Sequence, residues 1–411
     1  RCRQFDDGVA GGMVDGAEEA AVETHVRPSV NIAFVLDRSG SMGGEDKFGL
    51  AARAVREGIE QLAPTDRFAV VVYDGEVDVI APARAADAAA KREAIRSLQE
   101  VGPRGSTDLG GGWMRGAEQV AEALATNGVN RVLLLTDGLA NHGITDPSEL
   151  CRHAAELRAR GVSTSTFGVG TDFDERLLGG MADAGGGAFR YIERPDQIRP
   201  YLAAEVGELL EVTARAAELR IAGPEGLRVS CLAPFPLDRT ATGGVLHLGD
   251  LVADQALQVV VAVGFPLGEV GREVGVEFSV ADRDGRFGGA VTQTWTFADG
   301  AANDAQPRER AVDRLVARMY ADAALRDAVA LNREARFDEA RELLRSVARR
   351  VRGYAGNDAI LRGIVDELER EAEAWAIHRE ERERKFAFNS RVASLKCRDI
   401  AGDALRAPRR R

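Results

Sequence analysis

Between Val30 and about Val206, short runs rich in β-branched residues alternate with longer stretches of helical period, and this alternation restricts the possible fold more than any other feature. The runs are NIAFVLD (Asn31 to Asp37), RFAVVVY (Arg67 to Tyr73), VDVIA (Val77 to Ala81), RVLLLTD (Arg131 to Asp137), STSTFGV (Ser163 to Val169) and AFRYI (Ala188 to Ile192). Several are apolar almost throughout, as strands must be when helices cover both faces of their sheet. After the first run, Phe48, Ala51, Val55, Ile59 and Leu62 fall at spacings of three and four, one stripe of a helix that ends before Pro64. Further helices are predicted over residues 109–125, 147–160, 174–184 and 195–210, with Pro147 and Pro195 at first-turn positions. The pattern is an α/β fold: a doubly wound, mostly parallel, Rossmann-like sheet.

After Glu211 the texture changes to alternating strands broken by Gly and Pro, expected over 213–221, 227–232, 245–248, 256–265, 273–281 and 290–297. Strands without intervening helices imply an antiparallel sheet or β-sandwich-like domain. From about Ala305 the period is helical again, with helices predicted over 309–331, 337–352 and 358–386. The piece ALNREARFDEARELLRSVARR resembles the turn and second helix of a tetratricopeptide unit, yet one copy is visible where stacked repeats need about three. A helical hairpin or short bundle is the simpler expectation, with HREERERKF as a solvated face. The expected domains are therefore 1–28, a lead-in with or without a short strand around Val22 to Val26; 29–206, the α/β domain; 207–300, the antiparallel β domain; 301–388, the helical region; and 389–411, a basic tail.

Length supports this division, since 411 residues exceed one ordinary core. A formal net charge of −11 gives no broad positive field for nucleic acid or anionic lipid. The tail is the local exception, where Lys396, Arg398, Arg406, Arg409, Arg410 and Arg411 outnumber Asp399 and Asp403, and a solvated, frayed end is expected there. Cys2, Cys151, Cys231 and Cys397 are too dispersed for a zinc or redox motif, which fits a reducing, cytoplasmic setting. Because the sequence begins at Arg1, removal of a leader and export stay open. No run reaches the roughly 18 apolar residues of a membrane-spanning helix. The Ala-, Arg- and Gly-rich usage is of the kind associated with GC-rich bacterial genomes.

The residues that carry chemistry begin with VLDRSGSMGG. A buried strand delivers Asp37 at its carboxyl end, and Ser39 and Ser41 follow at alternate positions of a Gly-containing loop. In an open α/β sheet, ligands are expected beyond the carboxyl ends of the strands. Carboxylate plus hydroxyls suits a hard divalent cation, which prefers oxygen donors and retains several waters. GSTDLGGG adds Thr107 and Asp108 before a helix, and LLLTDG ends another strand with Asp137. Asp74, in VVYDGEV, is placed either near the same rim or in a turn. The G-x-x-x-x-G-K-[ST] phosphate loop and the G-x-S-x-G elbow are both missing, and the five histidines are scattered.

In order and spacing, the D-x-S-x-S of Asp37, Ser39 and Ser41, the separate Thr107 and the T-D-G containing Asp137 resemble the metal-ion-dependent adhesion site of von Willebrand factor A domains, over about residues 29 to 206. The resemblance implies that Ser39, Ser41 and Thr107 ligate Mg²⁺, with Mn²⁺ or Ca²⁺ as alternatives, while Asp37 and Asp137 act largely through waters or hydrogen bonds. It also implies an open coordination position for an acidic residue of a partner protein, hence a non-enzymatic interaction module. Asp108 departs from the uncharged residue common beside that Thr; it either points into the site or caps the following helix. Two other readings are a subunit of a larger ATPase or chelatase machine, and a metal-dependent phosphohydrolase with Asp37 as nucleophile. The latter is disfavoured because Ser39 stands where D-x-D-x-T enzymes carry a second carboxylate.

Overall fold

The computed structural model describes residues 27–406 together with two short strands, Gln4–Phe5 and Val9–Ala10. The strand expected around Val22 to Val26, and Arg409 to Arg411 of the tail, lie outside the described residues. The described chain forms two compact units: residues 27–215, 249–255 and 399–406 make one, and residues 216–248 and 256–398 with the two short strands make the other.

The first unit runs β1 (Val30–Asp37), α1 (Lys47–Gln61), β2 (Arg67–Tyr73), β3 (Val77–Ala85), α2 (Ala88–Gln99), α3 (Leu109–Ala121), β4 (Val129–Thr136), α4 (Pro147–Ala159), β5 (Ser163–Val169), α5 (Glu175–Gly185), β6 (Gly186–Ile192) and α6 (Ile198–Leu210). The strand order is β3-β2-β1-β4-β5-β6. Neighbours are parallel except β3, which folds back antiparallel on β2. Central β1 is buried at every position, which is why VNIAFVLD shows no polar alternation. Ile32, Phe34 and Leu36 join a cluster with Phe48, Val55 and Ile59 of α1 and Leu202 and Val206 of α6. Each such side chain contributes roughly 1.5–3 kcal/mol by leaving water. The opposite face receives α3 at close range: a Cβ on Gly112 would stand 2.4 Å from Tyr73 Cγ, and one on Gly116 2.3 Å from Val35 Cγ2. Helix α2, absent from the helices expected from the sequence, buries Ala90, Ala94 and Leu98 and is capped by Asp87, whose side chain accepts from Ala89 N–H and Ala90 N–H, both at 2.8 Å.

The expected frayed tail is instead built into this unit as far as Arg406. Fully buried Arg190 donates from Nε to Glu205 Oε2 (2.9 Å) and from Nη1 to the Ala401 carbonyl (2.9 Å) and the Asp403 carboxylate. Ala404 N–H donates to Glu208 Oε1 (2.7 Å), and Arg406 pairs with Glu211. A buried guanidinium without such partners would cost several kcal/mol, so the demand of Arg190 for acceptors helps fix where this segment lies.

The second unit contains β7 (Val212–Ala222), which begins in the first, then β8 (Arg228–Cys231), β9 (Leu237–Thr240), β10 (Gly243–Val252), β11 (Val261–Gly264), β12 (Glu273–Ala281) and β13 (Gly288–Thr296). One antiparallel sheet has the order β9-β10-β7-β12-β13, and β8 and β11 pair in a second sheet that ends in the two short strands. Ile221, Leu227, Val229, Leu246, Val263 and Val276 form its core. The strand expected over 256–265 shrinks to Val261–Gly264, because Gln258 N–H is directed to Cys397 Sγ (3.3 Å) and not to a ladder. The short polar strand β9 was invisible to a periodicity argument.

Five helices follow: α7 (Gly300–Asp304), α8 (Arg310–Arg333), α9 (Phe337–Ala355), α10 (Ala359–Trp375) and α11 (Glu381–Leu395). The single helix expected over 358–386 is thus two. Buried Asn332 of α8 explains the break: its Nδ2 donates to the carbonyls of Trp375 (3.0 Å) and Ile377 (2.7 Å), and its Oδ1 accepts from Arg379 N–H (3.3 Å). Those carbonyls would otherwise be orphaned at a helix end. Among the described residues, no helix is long and apolar enough to cross a membrane.

Candidate functional site

In strand order, β1 lies between β2, reached through α1, and β4, reached on the other side, so chain direction across the sheet reverses at β1. The carboxyl ends of β1 and β4 therefore border a topological switch point, the place where an open α/β sheet leaves a crevice. Asp37 ends β1, one residue past the Leu36–Leu135 pair, and Asp137 follows Thr136, the last residue of β4, two residues past Leu135.

Local bonding fixes each group. Asp37 Oδ1 accepts from Ser39 N–H (2.7 Å) and Oδ2 accepts from Thr136 Oγ1–H (2.6 Å). Ser39 Oγ and Ser41 Oγ are 3.1 Å apart, and Ser41 Oγ donates to Asp137 Oδ1 (2.6 Å). Lys47 Nζ holds the other oxygen, Oδ2, at 2.7 Å. Thr107 N–H donates to Asn141 Oδ1 (3.0 Å). A Cβ built on Gly138 would stand 3.7 Å from Thr107 Oγ1 and 3.9 Å from Ser41 Oγ, which puts these two hydroxyls around one point. The loop carrying Ser39 and Ser41 is pinned by Gly40 N–H to the Gly105 carbonyl (3.2 Å) and by Arg104 N–H to the Arg38 carbonyl (2.6 Å). All five residues expected from the sequence, Asp37, Ser39, Ser41, Thr107 and Asp137, thus come together.

Asp37, Ser39, Thr107 and Asp137 are buried, and Ser41 is exposed. Burial pushes Asp37 up to about 6; hydrogen bonds from Ser39 and Thr136 oppose the shift, and the Asp137 charge adds to it. The negative charge of Asp37 is therefore disfavoured where it is buried, whereas Asp137 is paired with Lys47. Among the described residues no group of three or more His, Cys, Asp or Glu side chains is arranged for a metal, so any ion here must rely on hydroxyls.

Asp108 caps α3, its Oδ1 accepting from Gly111 N–H (2.9 Å). Asp74 is a turn residue: burial acts to raise its carboxyl, but Glu76 N–H, Arg104 and Arg38 hold it below the usual range. His247 is partly buried between Asp238 (2.7 Å) and Glu218 (3.3 Å). Sequence reasoning missed Lys47, Asn141 and the bridging hydroxyl of Thr136. Thr136 alone left a sign, as the Thr of the T-D-G triplet.

Fold and site together define an open α/β module whose oxygen-rich loops crown the switch point. Residues 31–199 match the family model of the von Willebrand factor type A domain, and the chain carries that domain. It is similar to YfbK of Escherichia coli (strain K12), 30% identical over 195 residues that make up 47% of this chain and 34% of that protein. It is also similar to mouse (Mus musculus) inter alpha-trypsin inhibitor, heavy chain 4, 28% identical over 200 residues, 46% of this chain and 21% of that one. The chain thus spans a minor part of both relatives. Among solved structures, the von Willebrand factor type A protein from Catenulispora acidiphila has a TM-score of 0.63 at 19% identity, covering 84% of this chain and 89% of that one. The ArnB paralog VWA2 from Sulfolobus acidocaldarius gives 0.52 at 17%, covering 86% and 90%. These two likenesses reach beyond the α/β domain and show a shared fold.

Proposed function

We propose that the site is a divalent-metal-dependent protein interaction site, with Ser39, Ser41 and Thr107 as hydroxyl ligands and Asp37 and Asp137 as the anionic support. The observation that carries the reading is the convergence of three hydroxyls and two carboxylates on one rim, in a setting that raises Asp37 to about 6. A donor set made wholly of hard oxygen fits Mg²⁺ or Mn²⁺, and Ca²⁺ less closely, given the small number of carboxylates. A bound cation would supply an electrophilic position open to an outside carboxylate. Asp37 is committed on both oxygens and orients the Ser39 loop; Asp137 anchors Ser41; exposed Ser41 marks the side from which an acidic residue of a partner protein approaches.

The same geometry disfavours a phosphohydrolase. A nucleophilic Asp37 would need a free oxygen facing substrate, whereas both of its oxygens accept hydrogen bonds and its side chain is sealed from solvent. Service as a subunit of a larger ATPase or chelatase machine uses the same rim, and co-purification of such a partner separates it from a free-standing adaptor. The test is titration calorimetry with Mg²⁺ and Mn²⁺ on the full chain and on Ser39→Ala/Ser41→Ala. Saturable binding lost in the double variant, and partners released by chelator, are expected; absence of binding to the native chain refutes the proposal.

A further inference from the structure

Lys47 opens α1 and enters the site from a loop the metal-ligand pattern does not include. Its Nζ lies 2.7 Å from Asp137 Oδ2, with the Asp137 side chain fully buried and the lysine side chain 16% exposed. Asp137 is therefore gripped on both sides, by an ammonium on Oδ2 and by Ser41 on Oδ1. The neighbouring cation Arg38 is directed elsewhere, to Asp74 (3.1 Å) and Asp78 (2.5 Å). The backbone that delivers Lys47 is unusual. Glu45 and Asp46, neither of them glycine, sit consecutively in the left-handed region with φ of 52° and 56°. Such conformations are disfavoured for residues with a Cβ and persist where the surrounding structure over-determines them. Here they reverse the chain after the Ser41 loop so that the first residue of α1 points back at Asp137.

We propose that Lys47 is a built-in counter-charge that limits the site's hold on its metal and keeps the ion attractive to a partner's carboxylate. The proposal rests on the metal-site reading above. Asp37 and Asp137 together bring two negative charges, and Lys47 cancels one of them. A divalent ion in the site is then under-neutralised, so its interaction with an outside anion is strengthened, while its retention by the protein is weakened. Lys47 acts through Asp137 and is a positioning residue, with no contact to the partner required.

A purely structural lysine and a counter-charge make opposite forecasts. If Lys47 merely braces the loop, removing it leaves Mg²⁺ affinity unchanged or lower. If it is a counter-charge, Lys47→Met tightens Mg²⁺ binding, on the order of ten-fold for the loss of one nearby like charge in a partly screened site. Lys47→Arg should keep native affinity. Should Lys47→Met fail to fold, Lys47→Gln retains a donor to Asp137 without the charge and carries the same forecast. Both halves are read on the full chain: Mg²⁺ affinity by calorimetry, and acetate as a carboxylate probe by the water relaxivity of the Mn²⁺-loaded protein. Acetate should lower the relaxivity of the native protein more than that of the charge-removed variant. No Mg²⁺ binding to the native chain overturns the metal-site reading itself. Native binding that Lys47→Met or Lys47→Gln fails to tighten, or an acetate response undiminished in the variant, overturns the Lys47 proposal alone.

Discussion

Gly112 and Gly116 of α3 let that helix press on the sheet closely enough to bring Thr107, just before its first turn, to the site. Replacing a helical glycine by alanine normally stabilises by about 1 kcal/mol through backbone entropy. At Gly112 that gain is outweighed, because the new Cβ would stand 2.4 Å from Tyr73 Cγ and 2.8 Å from Tyr73 Cβ, on a ring with 0% exposure. Van der Waals contact needs roughly 1 Å more, and a close-packed interior concedes such a shift only at about 1–3 kcal/mol or beyond. The net expectation for Gly112→Ala is a loss of roughly 1–2 kcal/mol. Gly207, in α6 of the same unit, has nothing within 4 Å of its would-be Cβ, so Gly207→Ala should gain up to about 1 kcal/mol. Because the chain has two units, a global two-state fit is unsuitable, and Trp113 in α3 should be isolated as reporter by Trp295→Phe and Trp375→Phe. Urea titration followed by Trp113 fluorescence then reads the α/β unit. Equal shifts of the same sign for Gly112→Ala and Gly207→Ala would refute the close-approach argument.

Burial raises Asp37 from 3.8 to about 6, so between those values the folded state holds a proton that the unfolded state has released. Its contribution to stability therefore declines as pH rises through that window. Mg²⁺ must displace the same proton, so affinity should fall about ten-fold per pH unit below about 6, and calorimetry showing one affinity from about pH 5 to 7.5 would contradict this. Thr136→Val removes the donor to Asp37 Oδ2 and should destabilise the α/β unit by about 1–3 kcal/mol in urea unfolding at neutral pH, and less at pH 5, where Asp37 is protonated. Asn332→Ala strips the Trp375 and Ile377 carbonyls of their donor; a loss of about 2–3 kcal/mol is expected in the helical region, with Trp375 emission reporting. Arg190→Met leaves Glu205 buried beside fewer cations and should cost about 3–5 kcal/mol, with hydrogen exchange across residues 399–406 faster than in the native chain.

The parallel sheet was legible because its strands are buried on both faces, and an unbroken run such as RVLLLT, too short for a buried helix, fits little else than the middle of such a sheet. The five site residues were legible because three come from one loop and the other two sit at element ends, where the backbone fixes their direction. Lys47 was not, since its direction depends on two left-handed residues that no propensity rule assigns to Glu45 and Asp46. The division between α10 and α11 was equally hidden, as the sequence AWAIHREE carries no Gly or Pro and the break is imposed by Asn332, more than forty residues upstream. The tail misled by composition: its arginines suggested solvation, but Asp403 and the backbone of Ala401 and Ala404 determine its place.

That arrangement has a consequence for synthesis. Arg190 and Asp403 are 213 positions apart, so at an ordinary elongation rate of about 5–20 residues per second the guanidinium is made about 10–40 s before its carboxylate. During that interval Glu205 and Glu208 can neutralise Arg190, but the Ala401 carbonyl and the Asp403 carboxylate are still missing. The nascent α/β unit is thus left incompletely sealed at β6 until the second unit has been translated. Chains that stall within the helices would expose this defect, a natural mark by which proteases could tell an unfinished molecule from a finished one.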